Sequence, residues 1–405
     1  MDKDLLKSRL EQIEKLREPI LAAGEAAQQL RRLPDDIVER LVEDGFFRFA
    51  LPEALGGEEA SSMATIEILE AMAAIDASVA WNVMLGSEIN AMAAGGMDEA
   101  NARAIFLDHP DVIMCGGGGP GTTPARAERQ NDGSVRVTAQ ATFISGCHNA
   151  DWCFLGAPLM RGDEIEIDEH GRPIFKLWML ARDQWEILDT WDVAGLRGSG
   201  SHDVKTEGGL VPAEHVDVDL VRIPPVHDNP VFRIPVPLRL SYNKVAIALG
   251  VAKGALETFS DLAQNKIPLM STSSLAQRPI AQIRMGEAMA EFRAVRAFVM
   301  EAMTAVEDEL RAGAPYPGAK ATQDARLACV HAANTCMRVV DTLHNTAGTS
   351  GMRMFSPLER KLRDAHGCAS HRWVSHPLYQ DLGAIHLGNE PAPEFAGTLA
   401  GPMPT

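Results

Sequence analysis

The residues best suited to chemistry collect at a few places, and the densest is Ser356 to His376, SPLERKLRDAHGCASHRWVSH. Histidine titrates near working pH, so a positioned His371 can take or give a proton. Ser356 as N-cap, Pro357 at the first helical position and Glu359 three residues on carry the signature of a capping box, which predicts a helix starting here. Leu358, Leu362, Ala365 and Ala369 follow at helical spacing. On such a helix Asp364 and His371, two turns apart, share one face with Arg363 and Trp373, just after a Gly-rich turn at 347–351. The plain alternative is an amphipathic surface helix with solvated histidines.

A second place is Phe143 to Trp152, FISGCHNADW, where Ser145, Gly146, His148, Asn149 and Asp151 crowd a strand end; a simple turn competes with a site. A third, Trp191 to Asp203, WDVAGLRGSGSHD, alternates Gly195, Gly198 and Gly200 with Arg197, Ser199 and Ser201. Such a loop offers backbone N–H groups and hydroxyls without bulk, a wall for a flat, polar-edged ligand. Glu88 stands seven residues after Trp81 on the same helical face, as an exposed carboxylate or as an acceptor for a substrate N–H or O–H. The run Cys115 to Thr122, CGGGGPGT, lacks the Lys-Ser/Thr of a phosphate loop and reads as a flexible entry into the next segment. No HExxH or comparable spacing is present, which argues against a metal, and no G-x-G-x-x-G opens a helix after a strand.

Three kinds of segment must position these residues. Helical spacing runs through Leu5, Leu10, Ile13 and Leu16, through Ile37, Leu41 and Val42 after Pro34, over 61–75, and onward through Trp81 and Met84. From about 111 to 220 the pattern turns to short strands: a hairpin about Asn131-Asp132-Gly133-Ser134, then 141–145, 152–159, 174–181 and 216–220. Without intervening helices these imply an antiparallel sheet, barrel or sandwich. Long helices return with Leu249 to Leu262, Met289 to Leu310 and Leu327 to Val340, and the 356–376 stretch makes a fourth. The expected fold is mostly helical with a central β domain: an N-terminal helical domain over 1–112, a β-barrel or sandwich over 113–225, and a four-helix bundle over 226–405.

The 405-residue length fits two or three packed units. A net charge of -17 argues against nucleic acid and anionic membrane surfaces. The charged start, MDKDLLKSRLEQ, and the absence of a spanning apolar run predict a soluble cytoplasmic protein, with its six cysteines as reduced thiols.

The helix–β–helix order, FISG, GLRGSGSHDV and GTSGMRMFSPLERKLRDAHGCASH together resemble the acyl-CoA dehydrogenase fold over nearly the whole chain. Dehydrogenases of that family keep a catalytic glutamate, followed by Gly-Thr, after the Arg-Asp helix. Ser370-His371-Arg372-Trp373 stands there instead, which disfavours an acyl-CoA dehydrogenase. The R-D-x-x-x-x-x-x-H pattern is similar to the two-component flavin monooxygenases of this fold. Among these, DASVAWNVMLGSE and FISGCHNADW look most like the indole-3-acetate type, with the p-hydroxyphenylacetate hydroxylase oxygenase components also similar. A nitroalkane-oxidase-like enzyme with an aspartate base remains an alternative.

The resemblance implies reduced flavin (FADH2 or FMNH2) from a separate reductase, O2 as co-substrate, a C4a-hydroperoxide, and oxygenation of an indole-like or phenolic ring. His371 would withdraw a substrate proton or hold the hydroperoxide, with Ser145 near flavin and substrate. His148 would touch substrate; Trp81 and Glu88 join it there on the helical spacing alone, not on the resemblance. Arg197, Ser199 and Ser201 would lie along the flavin, with Arg278, Gly348, Thr349 and Ser350 near its phosphate end, in a homotetramer.

Overall fold

The computed structural model describes residues 3–117, 119–220, 225–227 and 229–392. Among the described residues six α-helices come first: α1 (Lys3–Lys15), α2 (Arg17–Leu30), α3 (Asp35–Glu43), α4 (Ser62–Ile75), α5 (Ala77–Gly96) and α6 (Glu99–Phe106). The α1 pattern held Leu16 but concealed a whole further helix, α2, because only a one-residue joint separates them. Central to this layer is α5. Asp76 caps it by accepting from Ser78 N and Val79 N at 2.9 and 3.0 Å, and nearly every residue of the helix is buried. Its small residues let neighbours approach closely: a Cβ on Gly86 would lie 2.5 Å from the Phe47 ring.

The middle of the chain forms a nine-stranded sheet. Its strands are β1 (Met114–Gly116), β2 (Gly119–Pro120), β3 (Arg126–Arg129), β4 (Val135–Ile144), β5 (Trp152–Arg161), β6 (Glu164–Ile165), β7 (Phe175–Ala181), β8 (Glu186–Leu188) and β9 (His202–Val211). The Asn131–Ser134 hairpin joins β3 to β4, with Ser134 N donating to Asp132 Oδ1 at 3.0 Å and Gly133 at φ +88. The sheet is mixed rather than antiparallel, since β5 runs parallel to both β1 and β3. The glycine run at 115–122 enters this sheet as β1 and β2 instead of forming a free connection; Gly118 lies outside the described residues.

The strand expected at 216–220 is absent. Val218 N and Asp219 N donate to His215 O and Gly96 O, and Val218 and Leu220 bury themselves beneath α5 and α6. Their alternation reflects a plug, not a ladder. The last long strand is β9, concealed in the sequence by Gly208-Gly209 and by a register shift opposite Val137/Thr138.

Next come α7 (Val236–Asn265), α8 (Pro279–Arg311), α9 (Ala319–Ala347) and α10 (Pro357–Ala369), followed by an unanticipated α11 (Leu378–His386) against α9. Pro357 opens α10 as expected, but the capping box does not form. Ser356 makes no side-chain cap, and the return bond of the box is missing too: Ser356 N donates to Arg353 O at 2.7 Å, and Glu359 forms a two-pronged pair with Arg363 at 2.7 and 2.9 Å. One hydrophobic core runs continuously from Ile13 through α4 and α5 to α7–α10, while the sheet keeps a core of its own. No helix among the described residues is long and apolar enough to cross a membrane.

Candidate active site

The densest polar grouping lies where α5, the end of β4, the 191–201 loop and the turn after α10 meet. From α5, Trp81 Nε1–H donates to Ser145 Oγ at 3.1 Å. Ser145 Oγ lies 2.7 Å from Ser201 Oγ, which lies 2.6 Å from Ser199 Oγ. The indole ring of Trp81 also meets His371 edge-on, with 5.5 Å between centroids. An indole N–H can only donate, so Ser145 accepts from Trp81 and keeps its own proton for Ser201 or for a ligand. Asn82, one residue on, donates from Nδ2 to Gly198 O at 3.2 Å and ties the glycine loop to α5.

His371 is not on the helix face with Asp364. The helix α10 ends at Ala369, and His371 stands in the following turn, where its N–H bonds Cys368 O at 3.2 Å. Burial, reinforced by the Lys244 ammonium, pushes its pKa down to about 3. Its Nδ1 accepts from Trp373 N at 3.4 Å. In the neutral ring, therefore, the proton sits on Nε2.

Asp364 turns the other way. It is buried, and its Oδ1 accepts from Leu196 N at 2.7 Å. Leu196 holds a left-handed conformation, φ 55, that a branched side chain rarely adopts. Next to it, Arg363 donates to Ala194 O and to Gln28 Oε1. The Arg-Asp pair is thus a clamp that fixes the 191–201 loop. Arg197, expected along a ligand, is spent on the same task, with Nε on Gln28 O at 3.0 Å and Nη1 on Asp192 Oδ1 at 3.1 Å.

His148 packs edge-on against His202 at 5.0 Å, and burial pushes its pKa down to about 4. His202 Nδ1 accepts from Thr190 N and Trp191 N at 3.2 Å each, which keeps that ring neutral too. Glu88 is no exposed carboxylate. It is 2% exposed, and its two oxygens take Asn243 Nδ2 and Lys244 Nζ at 2.6 Å each. Arg278, Gly348, Thr349 and Ser350 are not brought to the serine cluster within one chain. They stand at one end of the bundle, Arg278 before α8 and the other three after α9, where Lys266 Nζ reaches Ala347 O at 2.5 Å.

The sequence reading passed over Phe143. It precedes Ile144 and Ser145 at φ +61, remains 64% exposed, and meets Trp191 edge-on at 6.0 Å. A large exposed aromatic held in a strained conformation beside a hydroxyl cluster marks a ligand wall. Its one sequence signal was an aromatic directly before the polar turn. Lys244 was also missed, because a single lysine in a long helical pattern reads as a solvated position.

Two family models match the chain: acyl-CoA dehydrogenase N-terminal domain over residues 11–105 and acyl-CoA dehydrogenase C-terminal domain over 243–376. The chain is 31% identical over 374 residues to the indole-3-acetate monooxygenase of Acinetobacter baumannii, covering 92% of each chain. It is 25% identical to the p-hydroxyphenylacetate 3-hydroxylase oxygenase component of the same organism, over 95% of this chain and 90% of that one. In fold it is similar to the HsaA monooxygenase from M. tuberculosis, with TM-score 0.83 and 23% identity over 98% of this chain and 100% of that one. The same score relates it to XiaF from Streptomyces sp., solved in complex with FADH2, at 20% identity over 96% and 97% of the two chains. By sequence and by fold, the chain belongs to the acyl-CoA dehydrogenase family, in its branch of flavin-dependent monooxygenases.

Proposed function

We propose that this chain is the oxygenase component of a two-component system, taking reduced flavin from a separate reductase and using O2 to oxygenate an aromatic ring of the indole-3-acetate or phenol kind. The observation that carries the reading is the neutral, desolvated His371 joined through Trp81 to the Ser145–Ser201–Ser199 hydroxyl string. Among the described residues the two buried carboxylates nearest this cluster are already taken: Asp364 serves Leu196 and Glu88 serves Lys244.

The residues present fit a flavin. Exposed Phe143, braced edge-on by Trp191, offers an aromatic face, and the hydroxyl string offers donors and acceptors to a polar ring edge. Reduced flavin, when bound, supplies the two electrons that activate O2. Ser145, fixed as an acceptor by Trp81, directs its own O–H toward that edge. His371 presents Nε2–H, so it holds an oxygen by donating a hydrogen bond rather than by removing a proton. The three neutral imidazoles and the uncharged hydroxyls give a dry wall. Arg278, Gly348, Thr349 and Ser350, at the far end of the bundle, would hold the phosphate end of a flavin shared with a neighbouring copy in a homotetramer.

The test is rapid mixing of the protein, loaded with reduced FMN or FAD, with oxygenated buffer. A lag of seconds before the oxidised-flavin spectrum returns, with oxygenated product when an indole or phenol is present, is the expected outcome. Immediate reoxidation, together with flavin reduction by an acyl-CoA, would overturn the reading.

A further inference from the structure

The turn after α10 carries His371, and two helices of the bundle grip that turn by its backbone. Ser241 on α7 is buried, and its Oγ lies 2.9 Å from Trp373 O and 2.8 Å from Pro237 O. Its one hydroxyl proton is therefore shared between the turn and its own helix. Asn334 on α9 is 4% exposed, and an amide has two N–H groups to give. Nδ2 donates one to Val330 O at 2.8 Å and the other to Val374 O at 3.1 Å. The Trp373 side chain is held as well. Arg326 of α9 and the adjacent Arg372 each place a guanidinium over its ring, 5.5 and 5.4 Å from the centroid.

These anchors converge on one peptide group. The unit between Trp373 and Val374 is fixed at both ends, its carbonyl by Ser241 and its N–H by His371 O at 3.0 Å. The next carbonyl, Val374 O, is fixed by Asn334. With both peptides set, the Trp373 N–H meets His371 Nδ1 at 3.4 Å. That bond is long, so a small rotation of the turn breaks it. It also decides which ring nitrogen keeps the proton. A neutral ring whose Nδ1 accepts carries its proton on Nε2, whereas a ring released from Trp373 N is free to carry it on either. In the second form Nε2 is an acceptor and has nothing to donate. Lys244 stands three residues beyond Ser241 on the same face of α7. Burial and its ammonium both disfavour a second proton on the ring, so the choice is between the two neutral forms.

We propose that Ser241 and Asn334 are positioning residues, acting through the peptide between Trp373 and Val374 to hold His371 as the tautomer with its proton on Nε2. The inference rests on the oxygenase reading, in which His371 holds an oxygen by donating a hydrogen bond, and adds what enforces that role.

Two readouts test it, the first without turnover. The full chain is isotopically labelled at the histidine ring nitrogens, and the His371 signals are identified in nuclear magnetic resonance spectra by their loss in His371→Gln. At neutral pH the unsubstituted protein should carry the proton on Nε2 alone, and Ser241→Ala and Asn334→Ala should each show both tautomers. The second readout is rapid mixing of each protein with reduced flavin, O2 and indole-3-acetate or p-hydroxyphenylacetate. Product formed per flavin oxidised should fall by about fivefold in each variant, the worth of one hydrogen bond, with reduced-flavin affinity held within about twofold. Adding Ser241→Ala to His371→Gln should cause no further loss, because both changes act at one group. A proton on Nδ1 in the unsubstituted protein overturns the proposal whether or not the variants fold. So does a tautomer unchanged in both variants, or a loss that adds to that of His371→Gln, the mark of a merely structural role. If the tautomer shifts as expected but the unsubstituted protein oxygenates neither aromatic, the positioning stands and the oxygenase reading fails.

Discussion

Two buried polar clusters back onto each other across the 191–201 loop, and they are built on opposite rules. The cluster around Asp76 and Asp364 is made of ionisable groups, each given a hydrogen-bond or ion-pair partner. Asp76 caps α5 and meets Arg360 at 3.4 Å, Lys361 Nζ donates to Ala74 O at 2.8 Å, and Asp364 accepts from Leu196 N. The ligand-facing cluster of Trp81, Ser145, Ser199, Ser201 and His371 carries no full charge and keeps hydrogen-bonding capacity in reserve. Partnered ionisable groups fix a loop in a left-handed conformation that it would not adopt alone. Uncharged groups with spare valence can instead meet a flavin edge and an aromatic ring without an ion competing for water.

Substitutions sort along the same line. His371→Ala should reduce oxygenated product by about 10²–10³-fold with little change in thermal midpoint, the size expected for losing one positioned hydrogen-bond donor. A similar loss in melting temperature would merge the two clusters into one. Asp364→Ala should do the converse. It strands the Leu196 N–H and should lower stability by about 1–3 kcal/mol in denaturant titrations, with flavin retention falling as the loop relaxes. Trp81→Phe keeps the ring against His371 but removes the donor to Ser145. Single-turnover coupling of flavin oxidation to product should then fall by roughly tenfold or less, a one-hydrogen-bond effect.

The smallest effect is the sharpest test, because the clusters respond to pH with opposite signs. Burial and the Asp76 carboxylate push Asp364 up to about 6, so the native state binds more protons than the unfolded chain; its contribution is full below the usual carboxylate pKa and is lost as pH rises through about 6. His371 and His148 are pushed down to about 3 and about 4, so their contribution is full above the ordinary histidine pKa and is lost as pH falls toward those values. Thermal midpoints between pH 4 and 7 should therefore change slope when Asp364→Asn is compared with His371→Gln, in opposite directions. Parallel slopes would remove the distinction.

Much of this arrangement was legible in the residues, and the misses have physical causes. The glycine–serine loop, the FISG turn and the long bundle helices were visible because turn chemistry and apolar periodicity are local properties. His371 was named, but it was placed on the helix face with Asp364, and the helix ends two residues before it, at Ala369. Arg197 looked like a ligand group, and what spends it is Gln28, 169 residues away. The partners of Glu88 lie 155 and 156 residues off on α7, beyond the reach of any spacing rule. At Phe143 and Leu196 the decisive fact is a positive φ on a residue type that gives no hint of it.

The thiols have a bearing on durability. An oxygenase that meets reduced flavin and O2 without substrate releases hydrogen peroxide into its own interior, and peroxide attacks cysteine as the thiolate. All six cysteines are free and buried, and burial raises the pKa of Cys115, Cys147, Cys329, Cys336 and Cys368. These sulfurs remain protonated and shielded at working pH. The fold thereby resists self-inflicted oxidation during idle cycles, and iodoacetamide should label the native chain only as it unfolds.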